Sequence, residues 1–474
     1  MRKFTILIIL IFIPFSIYSQ FIEDALRYAL PNGIINPRAA ALGIAYNGLV
    51  DDNGSLFYNP AGLTLIKGSE LSMGLNFTRN NAETSFLNSK ELLKTNSEAI
   101  SNLSIISSFF KNNKKIAVGI GYFRENEFFN SLKFNSLNPK SSIITTEVLY
   151  GPRKDDENWA YELYLADKLG NGYVSPYNDS LYQSGFVNER GGVHSVIGAL
   201  GIDVNDNITL GISLIGKWGN YTYNRDYKEY DLLEKYKNIT IDGYTLSTLN
   251  LKEDISQHVS GISGSIGMVA KIDNFFRFTA NIKFPTWYQF EENFSKKLNA
   301  IYINQPNRIF EYDGKTSYNL TTPFIYSAGA SVHNNGLTFS AGVQYTDVSQ
   351  LTFSDANSQV MDLNNIIIQE LIGLTTWGLG LEYDFGILPF VARVSYSKTS
   401  SPYSKDIPNA YKSNFAIGGS AYIGDNVRID GVFRWISFSE LRTVYNEANG
   451  NYDYARYILN NSPLTISIGI VYRY

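Results

Sequence analysis

LTISIGIVYRY, Leu464 to Tyr474, divides by parity into two kinds of residue. Leu464, Ile466, Ile468, Ile470, Tyr472 and Tyr474 share one parity; Thr465, Ser467, Gly469, Val471 and Arg473 share the other. Successive side chains of a strand point to opposite faces, so one face here is oily and the other mostly polar. One such strand would equally suit half of a soluble sandwich. Its repetition along the chain decides the matter.

Upstream, Trp377, Leu379, Leu381, Tyr383 and Phe385 alternate with Thr376, Gly378, Gly380, Glu382 and Asp384. Similar runs cover Ile208 to Trp218, Phe276 to Phe284, Leu337 to Thr346 and Val427 to Trp435. Each is about ten residues long, the length a tilted strand needs to cross a bilayer. Between them, short turns rich in Asn, Asp and Gly (KNNKK, DVNDN, IDN, HNNG, GIL, GDN) alternate with longer connections. The longer ones are Asn80 to Ser101, Glu125 to Gly191, Gly219 to Ser256, Thr286 to Thr321, Val348 to Gly373, Thr399 to Ala410 and Ser437 to Pro463. Strict alternation puts long loops on one rim and short turns on the other. The expectation is an all-β transmembrane antiparallel barrel of about fourteen strands. The terminal aromatic, Tyr474, resembles the assembly signal of bacterial outer-membrane barrels, which implies the barrel assembly machinery as a partner.

Composition agrees with export. MRKFTILIILIFIPFSIYSQ pairs Arg2 and Lys3 with a short apolar core, Phe4 to Phe15, and a small residue, Ser19. This reads as a signal peptide over residues 1–19, its core well short of the ~20 residues a spanning helix needs. The chain has no cysteine and a formal charge of -4, and 34 Tyr with 29 Phe make it rich in aromatics. Without Arg2 and Lys3 the balance is 38 minus 44, or -6, which speaks against nucleic-acid binding.

Some fifty residues then precede the first strand, expected over Glu70 to Arg79. Arg38 to Val50 is Ala- and Leu-rich and reads as a short helix. DDNG, Asp51 to Gly54, reads as a turn, since a calcium loop needs alternating ligands and a terminal Glu. In NPAG, Asn59 suits an N-cap, Pro60 the first helical position and Gly62 a tight exit. INPRAAALGIAYNGLVDDNGSLFYNPAGL, Ile35 to Leu63, resembles the start of the FadL/TodX family of outer-membrane transporters for hydrophobic compounds (long-chain fatty acids and aromatic hydrocarbons). The resemblance implies a fourteen-stranded barrel over residues 69–474, with residues 20–68 folded into its lumen as a hatch carrying Asn59, Pro60, Ala61 and Gly62. It also implies sideways release of substrate beside a kinked third strand, for which Gly119 and Gly121 are the candidate kink residues.

Alternation independently places Gly119, Gly121, Gly211, Gly261, Gly267, Gly329, Gly342, Gly378 and Gly380 on the lumen face, where missing side chains leave room for a backbone. Inward arginines, Arg277, Arg393, Arg428 and Arg434, read either as receivers of a substrate carboxylate or as an internal ion-pair network, with Lys283, Arg473, Glu382, Asp384 and Asp430. FPTWYQFEENF (Phe284 to Phe294) and ENEFFNSLKF (Glu125 to Phe134) are expected to form an aromatic external groove or girdle. His194, His258 and His333 lack metal-ligand spacing, and GISGSIG lacks the serine-nucleophile pattern. No enzyme activity, metal or cofactor is called for. The functional expectation is a monomeric outer-membrane transporter of hydrophobic compounds, surrounded by membrane lipid and lipopolysaccharide. The alternative is a partner-binding barrel of a secretion system.

Overall fold

A computed structural model describes residues 18–112, 114–273, 275–408, 410–445 and 454–474. Apart from its last two residues, the expected export signal lies outside them. Fourteen barrel strands follow one another: β1 (Glu70–Phe86), β2 (Ser89–Lys111), β3 (Lys114–Asn138), β4 (Leu181–Asp203), β5 (Ile208–Tyr230), β6 (Leu246–Ile272), β7 (Phe276–Lys283 with Trp287–Tyr302), β8 (Arg308–Thr321 with Ile325–Asn334), β9 (Leu337–Asp347), β10 (Gly373–Asp384), β11 (Phe390–Thr399), β12 (Lys412–Ile423), β13 (Val427–Thr443) and β14 (Arg456–Asn461 with Leu464–Arg473). The ladder closes on itself, with β1 and β14 antiparallel from Glu70↔Arg473 to Arg79↔Leu464. Interruptions in β7, β8 and β14 fall at Pro285, Pro323 and Pro463, which have no N–H to give to a ladder.

Burial is inverted relative to a soluble protein. On β5, Leu210, Ile212, Leu214 and Trp218 are exposed while Thr209, Ser213 and Lys217 are buried. The C-terminal strand repeats this, with Ile466, Ile468, Ile470 and Tyr472 outward and Ser467 buried. An oily exterior around a polar interior is the arrangement a bilayer selects. Among the described residues no helix is long and apolar enough to cross a membrane.

The expected long loops are largely strand. β1 and β2 run on to a turn at Leu87–Asn88, where a loop from Asn80 to Ser101 was expected. FPTWYQFEENF and ENEFFNSLKF lie mostly in β7 and β3, so neither is a loop. The cause is visible on β5: outward residues turn polar at Asn220, Thr222 and Asn224, yet alternation and pairing continue to Tyr230. An apolar outward face ends at the membrane surface, whereas the strand does not. The longest connection, between β3 and β4, does fold further: helices α4 (Ile143–Tyr150) and α5 (Trp159–Glu162) and a hairpin of 167–169 with 172–174. Ile144, Trp159, Leu163 and Tyr177 from it pack onto inward Leu132, Phe134, Leu249 and Leu298 as a cap over the outer mouth.

The N-terminal chain lies within the barrel. A first helix, α1 (Tyr18–Ala29), precedes α2 (Pro37–Leu42), the 3-10 turns of Gly43–Gly48, α3 (Ser55–Tyr58) and the 3-10 turn of Pro60–Leu65. The expected helix over Arg38 to Val50 is therefore broken at Gly43, whose φ is +54°.

Candidate functional site: the lumen and a parting in its wall

The segment from Ile35 to Ile66 is seated against glycines of the inner wall, on the halves of the strands nearest the short turns. A Cβ added at Gly211 would stand 2.2 Å from Ala61 N, at Gly329 2.3 Å from Gly48 N, and at Gly342 2.0 Å from Ile44 O. At Gly267 it would stand 1.9 Å from Asn59 Oδ1. Gly119, Gly378 and Gly380 meet Leu56, Ile44 and Ala45 in the same way. Seven of the nine lumen glycines thus make room for this segment; Gly121 and Gly261 instead face Phe123 and Tyr288. The backbone approaches at Gly211, Gly329 and Gly342 are closer than any side chain allows, which is why glycine stands there.

NPAG has a specific role in this seating. Asn59 Oδ1 accepts from Ala61 N at 3.1 Å, the N-cap bond, and Pro60 takes the first helical position. Asn59 Nδ2 donates to two wall carbonyls, Met268 O (3.2 Å) on β6 and Ala280 O (3.0 Å) on β7. Ala61 is fully buried, and Gly62 lies against Val50 O, where a Cβ would be 1.9 Å away. DDNG is a turn: Asp52 Oδ1 accepts from Gly54 N (2.9 Å), Tyr46 Oη (2.5 Å) and Asn36 Nδ2 (3.0 Å).

The arginines divide unequally between the two roles expected of them. Arg38, from the segment, pairs with Asp51 and reaches Asp52 (3.5 Å) and Glu382 of β10 (3.2 Å). Arg277 donates to Leu49 O (2.6 Å) and Asp51 (3.1 Å), Arg393 to Glu382 (2.5 Å), and Arg428 to Asp430 (3.0 Å) and Asp52 (3.5 Å). Four guanidiniums meet four carboxylates, so this cluster is balanced and fixes the segment to the wall. Asp51 sits between two of these guanidiniums, and although burial opposes ionisation, they hold its carboxyl well below the usual range. Arg434 differs: its hydrogen bond is to the neutral Asn414 Oδ1 (3.2 Å). Lys412 lies near, its ammonium 5.5 Å from the Phe438 ring.

The wall parts between β2 and β3. Their ladder runs from Lys111↔Lys114 to Asn102↔Phe123 and stops, though β2 stays paired with β1 to Ser89 and β3 with β4 to Asn138. Beyond that point β2 and β3 are joined by side chains alone, Ser97 to Glu127, Ser89 to Asn135 (3.4 Å), Lys133 to Glu91 (2.6 Å) and Asn135 to Glu91 (2.7 Å). There β1 reaches β3 from Thr84 to Lys133 O, from Asn80 to Asn130 (3.1 Å) and with Phe86 on Phe134. The break in β3 is a bulge at Glu125, between Arg124 and Asn126. Gly119 and Gly121, expected as kink residues, lie instead in regular pairing with Ile106 and Ser104. The alternation locates the bulge once it is sought: Phe123 and Glu125 are buried, and then Asn126, Phe128 and Asn130.

From inside, the N-terminal chain clasps that bulge. Gly33 N donates to Glu125 O (3.0 Å), Asn126 Nδ2 to Arg27 O and Leu30 O (3.0 Å each), and Glu127 N to Asn32 Oδ1 (2.8 Å). The Glu125 carboxylate turns inward to Lys217 (2.7 Å) and Lys283 (3.1 Å). The first helix, which sequence reading missed, fills the middle of the lumen: Ile22, Ala25, Leu26 and Ala29 are buried among wall residues such as Val193, Val259, Phe290 and Tyr318. Its helical spacing of apolar residues is legible in FIEDALRYAL.

No family model matches the chain, and no curated protein matches its sequence. Solved structures do match in shape. A FadL homologue of Pseudomonas aeruginosa aligns over 94% of this chain and 99% of its own, at 12% identity and a TM-score of 0.59. The Pseudomonas putida toluene transporter TodX aligns over 94% and 100%, at 12% identity and TM-score 0.56. The Ralstonia pickettii toluene transporter TbuX aligns over 93% and 98%, at 15% identity and TM-score 0.52. The chain has the fold of the FadL and TodX channels. In this FadL-type barrel the closely seated segment Ile35–Ile66 and the β2–β3 parting are features of the chain's own contacts.

Proposed function

We propose that this FadL-type barrel is an outer-membrane channel that takes up hydrophobic compounds, long-chain fatty acids or aromatic hydrocarbons, past an N-terminal hatch, and releases them sideways through the β2–β3 parting. The parting carries the reading. Apolar solutes gain about 25 cal/mol for each Å² removed from water, so a route ending in the bilayer suits them better than a wet pore. Support comes also from the lumen, where the first helix and cap meet an apolar, aromatic wall. Among the four inward candidates, Arg434 is the one whose charge is left for a carboxylate headgroup, since Arg277, Arg393 and Arg428 are engaged by protein carboxylates. A rigid partner-binding barrel of a secretion system would have no use for an interrupted wall, which favours transport over that alternative.

The test is uptake by outer-membrane-intact cells lacking their own carrier, supplied with labelled long-chain fatty acid or labelled toluene. Cells making the protein should accumulate one of them faster than cells without it. Equal rates for both compounds, with the barrel present in the membrane, would refute the reading. An Arg434→Met variant should slow uptake of the fatty acid and leave that of toluene unchanged.

A further inference from the structure

We propose that the outer wall carries a binding site for a phosphate-bearing membrane lipid, on β3 to β7 beside the parting. It is separate from the path of any transported compound. Cross-strand register lines up two rows on the outward face. The lower row is Tyr122–Val196–Gly216–Ile262–Trp287, and the upper row is Arg124–His194–Trp218–Ser260–Gln289. Beneath them runs Ile120–Gly198–Leu214–Gly264. Gly198 and Gly216 open onto empty space, with no atom within 4 Å of a Cβ placed there. The result is a groove of about 480 Å³, with Val196, Trp218, Ile262 and Trp287 as its apolar walls and Gly216 in its floor. That volume lies in the range of small-molecule sites.

Position settles the occupant. The groove is cut into the exposed apolar belt, so a lipid acyl chain is what the membrane offers it. Above it the surface becomes polar, as a lipid's headgroup region requires. His194 stacks between Tyr122 (ring centroids 5.7 Å apart) and Trp218 (5.9 Å), making an aromatic shelf at the groove's upper end. Its Nδ1 shares a hydrogen bond with Tyr122 Oη at 2.7 Å, so Nε2 is the nitrogen left for an ester or phosphate oxygen. Arg124, cross-strand from His194, gives Nη2 to Gly191 O (3.3 Å) and holds it 3.7 Å from the Glu127 carboxylate, while its buried Nε has no protein partner. A guanidinium beside an imidazole N–H is suited to a phosphate. A lipid seated here would grip β3 on the side opposite the parting.

The five tryptophans allow a direct test. In one variant Trp159, Trp377 and Trp435 are changed to Phe, leaving the groove pair Trp218 and Trp287. In another Trp159, Trp218 and Trp287 are changed, leaving lipid-facing Trp377 and Trp435, which are 45% and 50% exposed. Each full-length barrel is reconstituted in phosphatidylcholine with brominated chains, which quench tryptophan, and then mixed with excess unbrominated vesicles. Fluorescence of the groove pair should recover several-fold more slowly than that of the other pair, and Gly216→Leu should abolish the lag. Recovery in step would overturn the site. Should the tryptophan variants fail to fold, native mass spectrometry of the unsubstituted chain provides a second measurement. A retained phosphatidylcholine adduct that Gly216→Leu loses supports the site; no adduct, or one kept equally by both, overturns it.

Discussion

Asn59 is a small side chain with a large span, joining its own turn to carbonyls of β6 and β7. Asn59→Ala leaves those two buried carbonyls short of a donor, a loss of about 1–3 kcal/mol. Hydrogen exchange over residues 55–66 should rise about tenfold or more in that variant, with the strands unchanged. Gly211→Val is expected to be harsher, because its Cβ would stand 2.2 Å from a backbone nitrogen that cannot move without its segment. Cells carrying it should become permeable to bulky antibiotics that the parent excludes, provided the barrel still assembles. Arg38 is the third such residue. Arg38→Met would leave Asp51 and Asp52 facing Glu382 with fewer cations, at about 3–5 kcal/mol for an uncompensated buried charge, and thermal melting should show the loss. These roles were partly legible: seven of the nine lumen glycines matched the segment, and the arginines were placed inward. Which arginine was neutralised was not legible, since partners such as Arg38 and Glu382 lie 344 residues apart.

At the scale of elements, the outer cap is joined to the wall through one apolar cluster and a buried carboxylate. Its helix α4 is held at the N-terminus by Glu229, a buried carboxylate accepting from Ile143 N (2.9 Å), Ser142 Oγ (2.5 Å), Gln183 Nε2 (2.8 Å) and Tyr227 Oη (2.7 Å). On the same helix, burial pushes the Glu147 carboxyl up to about 7, with Lys296 opposing. A raised carboxyl pKa means that the docked cap holds a proton that the undocked cap releases. Docking is therefore firm below the ordinary carboxylate range, weakens as pH rises from there to about 7, and is weakest above it. Exchange protection of residues 143–163, corrected for intrinsic rates, should fall from the ordinary carboxylate range near 4.5 up to about pH 7 and then level off, and Glu147→Gln should remove that dependence. The cap shows why sequence reading succeeded unevenly. Strand existence and order followed from period-two alternation, but strand ends did not, because outward residues become polar at Asn220 while pairing continues to Tyr230. The bulge at Glu125 was missed for a related reason: an added residue flips the faces, and glycines nearby offered a more familiar cause.

As a whole molecule, the barrel is closed below by a segment fitted to its glycines, filled at mid-height by a helix, and capped above. Its wall is interrupted where β2 and β3 separate. The N-terminal chain at Asn32 and Gly33 touches the bulge where the proposed side exit would begin. The most direct measurement closes it. Because the chain has no cysteine, Ser97→Cys with Glu127→Cys, whose side chains already meet across the parting, can be bridged by a reversible bifunctional thiol reagent. Uptake of whichever hydrophobic compound the parent carries should fall severalfold when the bridge is made and return when it is cleaved, while each single cysteine variant treated alike keeps the parent rate. Undiminished uptake through a fully bridged barrel would contradict passage between β2 and β3.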